Sequence, residues 1–315
     1  MELTQVTVIA PATTANLGPG FDVFGLALKK PHDKVTLNVV PEDVVIEITG
    51  RSSNSISTSP DKNTAGIVAK HMLKEFHLKH GVAIKIEKGI VPGMGLGSSA
   101  ASAAAAAFGM NQLFDLQIEK KKLVGLAAKG EITSAGYEHA DNVSAALCGG
   151  FVIVRSYNPL EIITLKAPNR MDVCVSYPIM VTPDHKTKKA RAIVPKKISI
   201  DKLVRNVGSA AALATGFSEG DIDLIGASMS DAVVEPERAA LIPGYQTVKE
   251  NALEAGACGV AISGAGPAMI AIVNNRKANS AKVADAMKAG FESSGLKAAA
   301  FATKPGRGAH LVEKT

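Results

Sequence analysis

The stretch Pro92-Gly93-Met94-Gly95-Leu96-Gly97-Ser98-Ser99-Ala100 decides the reading of this chain. Three glycines at alternate positions remove every Cβ that would hold backbone N–H groups away from an anion. Two hydroxyls follow at the start of a helix, where free N–H groups and the helix dipole favour negative charge. Beyond them Ala100, Ala101 and Ala103 to Ala107 are small enough for that helix to pack tightly. A di- or triphosphate suits such a loop, with a serine hydroxyl at hand for Mg²⁺. Three other readings stand beside it. Gly95-x-Gly97-x-x-Ala100 fits a variant of the dinucleotide fingerprint, but that motif needs an acid closing a second strand, where the pattern reads helix. Gly97-Ser98-Ser99-Ala100-Ala101 loosely resembles a hydrolase nucleophile elbow that lacks its second glycine. A glycine run serving helix packing is the plainest reading. A Walker A loop is excluded, because Ser98 stands where that motif has lysine.

Working outward, Val82, Ile84 and Ile86 alternate with Lys85 and Glu87 and predict a strand running into the loop. A helix over 99–111 follows, then another over 118–129 with a lysine-rich face, and an apolar strand over 151–154. Upstream, 6–10 and 34–40 read as strands, and 64–76 as a helix opened by Asn63 or Thr64. In the second half, strands at 173–176, 260–263, 269–273 and 297–303, the last strand, alternate with helices. Helices are expected over 202–214, 221–229, 245–255 and 280–293, with a tight turn at 264–267. Without the extra helices the order is β-α-β-β-α-β, the ferredoxin-like pattern. Asn158-Pro159 and Ala167-Pro168-Asn169 interrupt regular structure, which divides the chain into units 1–165 and 166–315.

Composition narrows the class. The 315 residues are 46% hydrophobic and 20% charged, too apolar for a disordered chain and long enough for about two domains. Cys148, Cys174 and Cys258 form neither a disulfide framework nor a metal signature, which points to a reducing cytoplasm. No signal peptide or bilayer-spanning stretch is apparent. The net charge is +6, yet aromatic residues make up only 4% and tryptophan is absent, which disfavours a nucleic-acid stacking platform. The densest basic run, Lys186, Lys188, Lys189, Arg191, Lys196 and Lys197, reads as a solvated loop or as an anion site.

The glycine segment resembles the phosphate loop of the GHMP kinases, Pro-x-x-x-Gly-Leu-Gly-Ser-Ser-Ala. Other segments resemble the homoserine-specific branch of that family in the same order. They are Ala10 to Gly25 (APATTANLGPGFDVFG), His139-Ala140-Asp141-Asn142-Val143, Thr187-Lys188-Lys189-Ala190-Arg191, Glu235-Pro236-Glu237-Arg238 and Ser263-Gly264-Ala265-Gly266-Pro267. The resemblance implies an α+β fold of two domains, the first like ribosomal protein S5 domain 2 and the second ferredoxin-like. It implies ATP-dependent phosphorylation of the L-homoserine hydroxyl on the route to threonine, and a homodimer that engages neither nucleic acid nor membrane.

By the same resemblance, residues 92–100 hold the phosphates, Ser99 and Glu131 hold Mg²⁺, and Asn63 and Lys88 lie near the adenine. Asp22 and Asp141 balance the substrate ammonium, and Arg191 and Arg238 clamp its carboxylate. Asn16, His139, Thr187 and Gly264 complete the pocket. Asn142 occupies the position where several relatives carry an aspartate base, and asparagine accepts no proton, so catalysis without a protein base is expected. The chain departs from the family pattern at Ala268, where threonine commonly follows the proline, and over Ser144 to Cys148. Two alternatives stay open: another small-molecule kinase of the family, acting on mevalonate, shikimate or a sugar, and a silent ligand-binding regulator on the same fold.

Overall fold

The computed structural model describes residues 4–135, 140–180 and 186–315, so His139 lies outside the described residues. Strands β1 (Gln5–Asn16) and β2 (Gly20–Val40) pair antiparallel, with Val6 opposite Leu37 and Val8 opposite Val35, all four fully buried. Strand β3 (Val44–Gly50) runs parallel to β4 (Gly81–Lys88), and helix α1 (Thr64–Glu75) makes the crossover that parallel neighbours require. The expected alternation in β4 holds: Val82, Ile84 and Ile86 are buried and Lys85 is exposed.

The glycine loop leads from β4 into α2 (Ser98–Leu113), which is followed by α3 (Lys120–Ala135) and α4 (Ala140–Cys148). Ala100, Ala101 and Ala103 to Ala107 are fully buried, so α2 is covered on every side, as a helix apolar all round must be. Between Ala100 and Ala107 only methyl groups and the Ser102 side chain separate its backbone from its neighbours. Strands β5 (Phe151–Tyr157) and β6 (Leu160–Leu165) form a hairpin on the free edge of the N-terminal half of β2.

Strand β7 (Met171–Pro178) begins the second sheet, and four helices follow it: α5 (Lys186–Ala192), α6 (Ile200–Glu219), α7 (Ile222–Ala227) and α8 (Glu235–Ala239). Then come α9 (Tyr245–Glu254), β8 (Gly259–Ile262), β9 (Met269–Asn274), α10 (Ser280–Glu292) and β10 (Ala298–Thr303). The strand order β10-β7-β9-β8, antiparallel throughout, is the ferredoxin-like arrangement. Side chains alternate between its two faces. Val173, Val175, Ala261, Ile270 and Ile272 join the core shared with the first sheet, while Cys174, Val260, Ile262, Met269 and Ala271 pack with α9 and α10.

Two expectations need correction. Strand 297–303 is not the last: β11 (His310–Lys314) pairs with β1, so these residues, expected in the C-terminal unit, belong to the first sheet. Lys120 Nζ donates to Ala309 O at 2.9 Å, so one member of the α3 lysine run ties the returning segment down. Within the basic run, Lys186, Lys188, Lys189 and Arg191 lie on a helix, α5, and not in a loop, while Lys196 and Lys197 lie in the exposed, non-helical segment after it. Among the described residues no helix is long and apolar enough to cross a membrane.

The two sheets share one core. Phe217 on α6 stacks on Phe151 of β5 at 3.9 Å between ring centroids, and Phe151 meets Phe24 edge-on at 5.1 Å. Phe217→Ala is expected to cost about 3–5 kcal/mol, and Phe217→Leu much less, read as shifts of the urea unfolding midpoint.

Candidate active site

A cavity of about 410 Å³ lies where the glycine loop, the β1–β2 turn, α4, α5 and the turn after β8 converge. The loop's shape follows from its neighbours. Gly95 has φ +87°, and a Cβ there would sit 2.3 Å from Ser263 O; one on Gly97 would sit 1.9 Å from Thr13 Oγ1. Any side chain at either position would push the loop off the turn or off β1. Of the nine residues 92–100, Met94 alone does not line the cavity: its side chain joins the core, and its carbonyl accepts from Ala268 N at 3.0 Å.

Beneath the loop lies a buried ion pair. Lys88 Nζ contacts Asp33 Oδ2 and donates to Ser98 O (2.9 Å) and Ser102 Oγ (3.0 Å), while Asp33 Oδ1 accepts from Gly89 N and Ile90 N. Burial pushes the Lys88 ammonium down in pKa, opposed by the Asp33 charge. Lys88 reaches the cavity wall, but its ammonium braces the start of α2 instead of facing an adenine. Asn63 caps α1 by accepting from Ala65 N at 3.0 Å and donates to Ser57 O at 2.9 Å. It stands with Ile48, Ile56 and Lys62 at one end of the cavity; these three were not foreseen, and the serine-rich run 52–59 was the only local signal.

At the first turn of α2, Ser99 Oγ donates to Glu131 Oε2 at 3.0 Å. Among the described residues no cluster of three His, Cys, Asp or Glu suits a metal. Two hard oxygens beside a phosphate loop nevertheless fit Mg²⁺, which keeps waters and takes substrate phosphates as its remaining ligands.

The opposite end carries charge. Asn16, Leu17 and Asp22 adopt positive φ in the β1–β2 turn, and Asn16 Oδ1 accepts from Asp22 N at 3.2 Å. Asn16 Nδ2 and Arg238 Nη1 both donate to Gly264 O, at 2.9 and 2.8 Å. Asp231 accepts the backbone N–H groups that open α8, which sets Arg238 in place; burial lowers the pKa of the Arg238 guanidinium. Arg191 does not line the cavity. It pairs with Asp22 at 2.7 Å, so the charges expected to face opposite ends of a substrate meet each other. Tyr157 Oη donates to Asp22 O at 2.7 Å, and burial, with Asp141 and Asp22 nearby, raises its pKa.

Asp141 and Asn142 enter from the first turn of α4, and Asp141 Oδ1 accepts from Asn142 N at 2.6 Å. Thr13 Oγ1 donates to Asn142 Oδ1 at 2.7 Å, which fixes the amide orientation. Thr187 lines the cavity. Phe21 and Lys186 were missed. The Phe21 ring lies 5.4 Å from the Arg191 guanidinium and 5.0 Å from that of Arg238, and Lys186 Nζ reaches the glycine loop. The departure at 144–148 continues α4 as helix, and Ala268 is buried in the core.

Comparison with known proteins shows the family. The family model for the GHMP kinases N terminal domain matches residues 63–150, and that for GHMP kinases C terminal matches 210–293. The homoserine kinase of Methanococcus vannielii is 49% identical over 273 residues, covering 86% of this chain and 88% of that one. That of Halorubrum lacusprofundi is 44% identical over 313 residues, covering 98% and 100%. The crystal structure of homoserine kinase from Cytophaga hutchinsonii superposes with a TM-score of 0.91 at 37% identity, covering 98% of this chain and 97% of that one. Identity of this order along nearly the whole length, on the same two-sheet fold, makes the chain a member of the GHMP kinase family, in its homoserine kinase branch.

Proposed function

We propose that this chain transfers the terminal phosphoryl group of ATP to the side-chain hydroxyl of L-homoserine, giving O-phospho-L-homoserine on the route to threonine. One observation carries the reading: a single cavity joins the glycine loop and the start of α2 to Asn16, Asp22, Asp141, Thr187 and Arg238. The loop's N–H groups receive the phosphates. Homoserine offers an ammonium to Asp22 and Asp141 and a carboxylate to Arg191 and Arg238. Its two charges thereby exchange one internal ion pair, Asp22–Arg191, for two with the substrate. His139 belongs to the same pocket in this reading. A homodimer in the cytoplasm is its setting, which three free thiols suit.

Phosphoryl transfer asks chiefly for position and charge neutralisation. Mg²⁺ held by Ser99 and Glu131 would neutralise charge on the phosphate oxygens. Asn142 is locked by Thr13 and accepts no proton. The hydroxyl oxygen forms its bond to phosphorus as the bond to the ADP oxygen breaks, and the hydroxyl proton passes to the transferred phosphoryl group.

ADP release assayed against L-homoserine, mevalonate, shikimate and galactose is expected to respond to homoserine. Glu131→Gln is expected to cut that turnover by about 100-fold; flat release across the panel would identify a binding regulator. Arg238→Met is expected to raise KM for homoserine by about 10- to 100-fold with little change for ATP, the loss of a charged hydrogen bond. A bell-shaped rate profile whose acidic limb vanishes in Asp22→Asn or Asp141→Asn would reveal a protein base; the limb is expected to persist in both.

A further inference from the structure

Lys186 is the one lysine of the basic run that turns inward. It opens α5 and lines the cavity, while Lys188 and its neighbour Lys189 face outward. Its Nζ donates to Gly93 O of the glycine loop at 2.6 Å and also contacts Gly266 O of the turn after β8. The ammonium thus lies in the seam between the two glycine turns. No carboxylate among the described residues lies within ion-pair distance of it.

We propose that Lys186 is a phosphate-binding residue of this cavity, reaching the phosphate chain of a bound nucleotide from the seam between the two glycine turns. The inference rests on the nucleotide reading above and adds a cation that neither the loop motif nor the paired arginines supply. Two carbonyls take two N–H donors, which is the full complement of a neutral amine; protonation adds a third donor, which meets no acceptor among the described residues. The loop and the turn present only carbonyls to Lys186. Helix α8 presents Arg238, and Asp22, Asp141 and Glu131 line the same cavity without pairing with it. Burial, reinforced by repulsion from Arg238, lowers its pKa to about 7. A phosphate nearby restores the charge, so the pKa rises on binding. Lysine's contribution to affinity is then complete below pH 7 and declines, by up to about tenfold per unit, as pH rises above it.

The test is titration calorimetry with the Mg²⁺ complex of the β,γ-imido analogue of ATP, and with adenosine, in two buffers of different ionisation enthalpy at pH 8. Phosphate groups have shed their protons there and contribute no uptake of their own. The wild-type protein is expected to take up about one proton per triphosphate and none with adenosine. Lys186→Met is expected to bind adenosine normally and the triphosphate about 10- to 100-fold more weakly, without proton uptake. Lys186→Arg is expected to bind the triphosphate, also without uptake. Equal triphosphate affinity in wild type and Lys186→Met, or uptake that persists in that variant, overturns the proposal alone. Absence of uptake in the wild type overturns it whether or not the variants fold. Failure of the wild type to bind either ligand overturns the nucleotide reading and this inference together.

Discussion

The backbone contact between the glycine loop and the turn at Ser263–Ala268 is the constraint on which the rest depends. Ser263 Oγ donates to Gly95 O at 2.7 Å and lies 2.9 Å from Thr14 Oγ1; Gly264 N donates to Ala15 O and Ala268 N to Met94 O. The second sheet thus reaches the loop and the end of β1 through main-chain groups and the short Ser263 side chain, which have little freedom to repack. Gly95 must lack a side chain for this contact, and its lack of one also bares N–H groups to an anion. Packing and binding ask for the same residue type, so a loop that serves one serves the other.

Charge is arranged on either side of that seam in different ways. Beneath the loop, Lys88 and Asp33 are both nearly water-free, and every strong donor and acceptor of the pair is engaged. Removing one partner of such a pair costs several kcal/mol because the other is stranded. Around Asp22 the charges stay partly wet, with side-chain exposures of 22% for Asp22 and 31% for Arg191. Partial exposure makes that pair cheap to exchange for substrate contacts, as a binding pocket needs and a loop foundation does not.

The glycine loop, the ferredoxin-like strand order and most of the core strands were legible because each rests on local pattern: alternate glycines, or residues alternating at a period of two. What stayed hidden has a common cause. Helix α4 opens on Asp141 and Asn142, polar residues that face a cavity, so no apolar period announces it. Helix α5 spans seven residues, and its lysines differ in fate only through what packs on them: Lys186 meets carbonyls from two distant turns, Lys188 meets water. Strand β11 pairs with β1 across more than 290 residues, and a strand's partner is not written in its own alternation. The ion pair of Lys88 was not legible because its partner, Asp33, is 55 positions away.

Phosphoryl transfer places most of its demand on position, and the contacts around Asn142 are close ones. Thr13 from β1 fixes the Asn142 amide from α4, and the space between them and Gly97 is so small that a Cβ on Gly97 would lie 3.1 Å from Asn142 Oδ1. Three segments from different parts of the chain therefore pack directly against one another beside the glycine loop. Effective molarity falls steeply when reacting atoms are misplaced by even 1 Å. An amide that cannot take a proton, but cannot move either, suits a reaction in which the attacking oxygen needs alignment more than deprotonation.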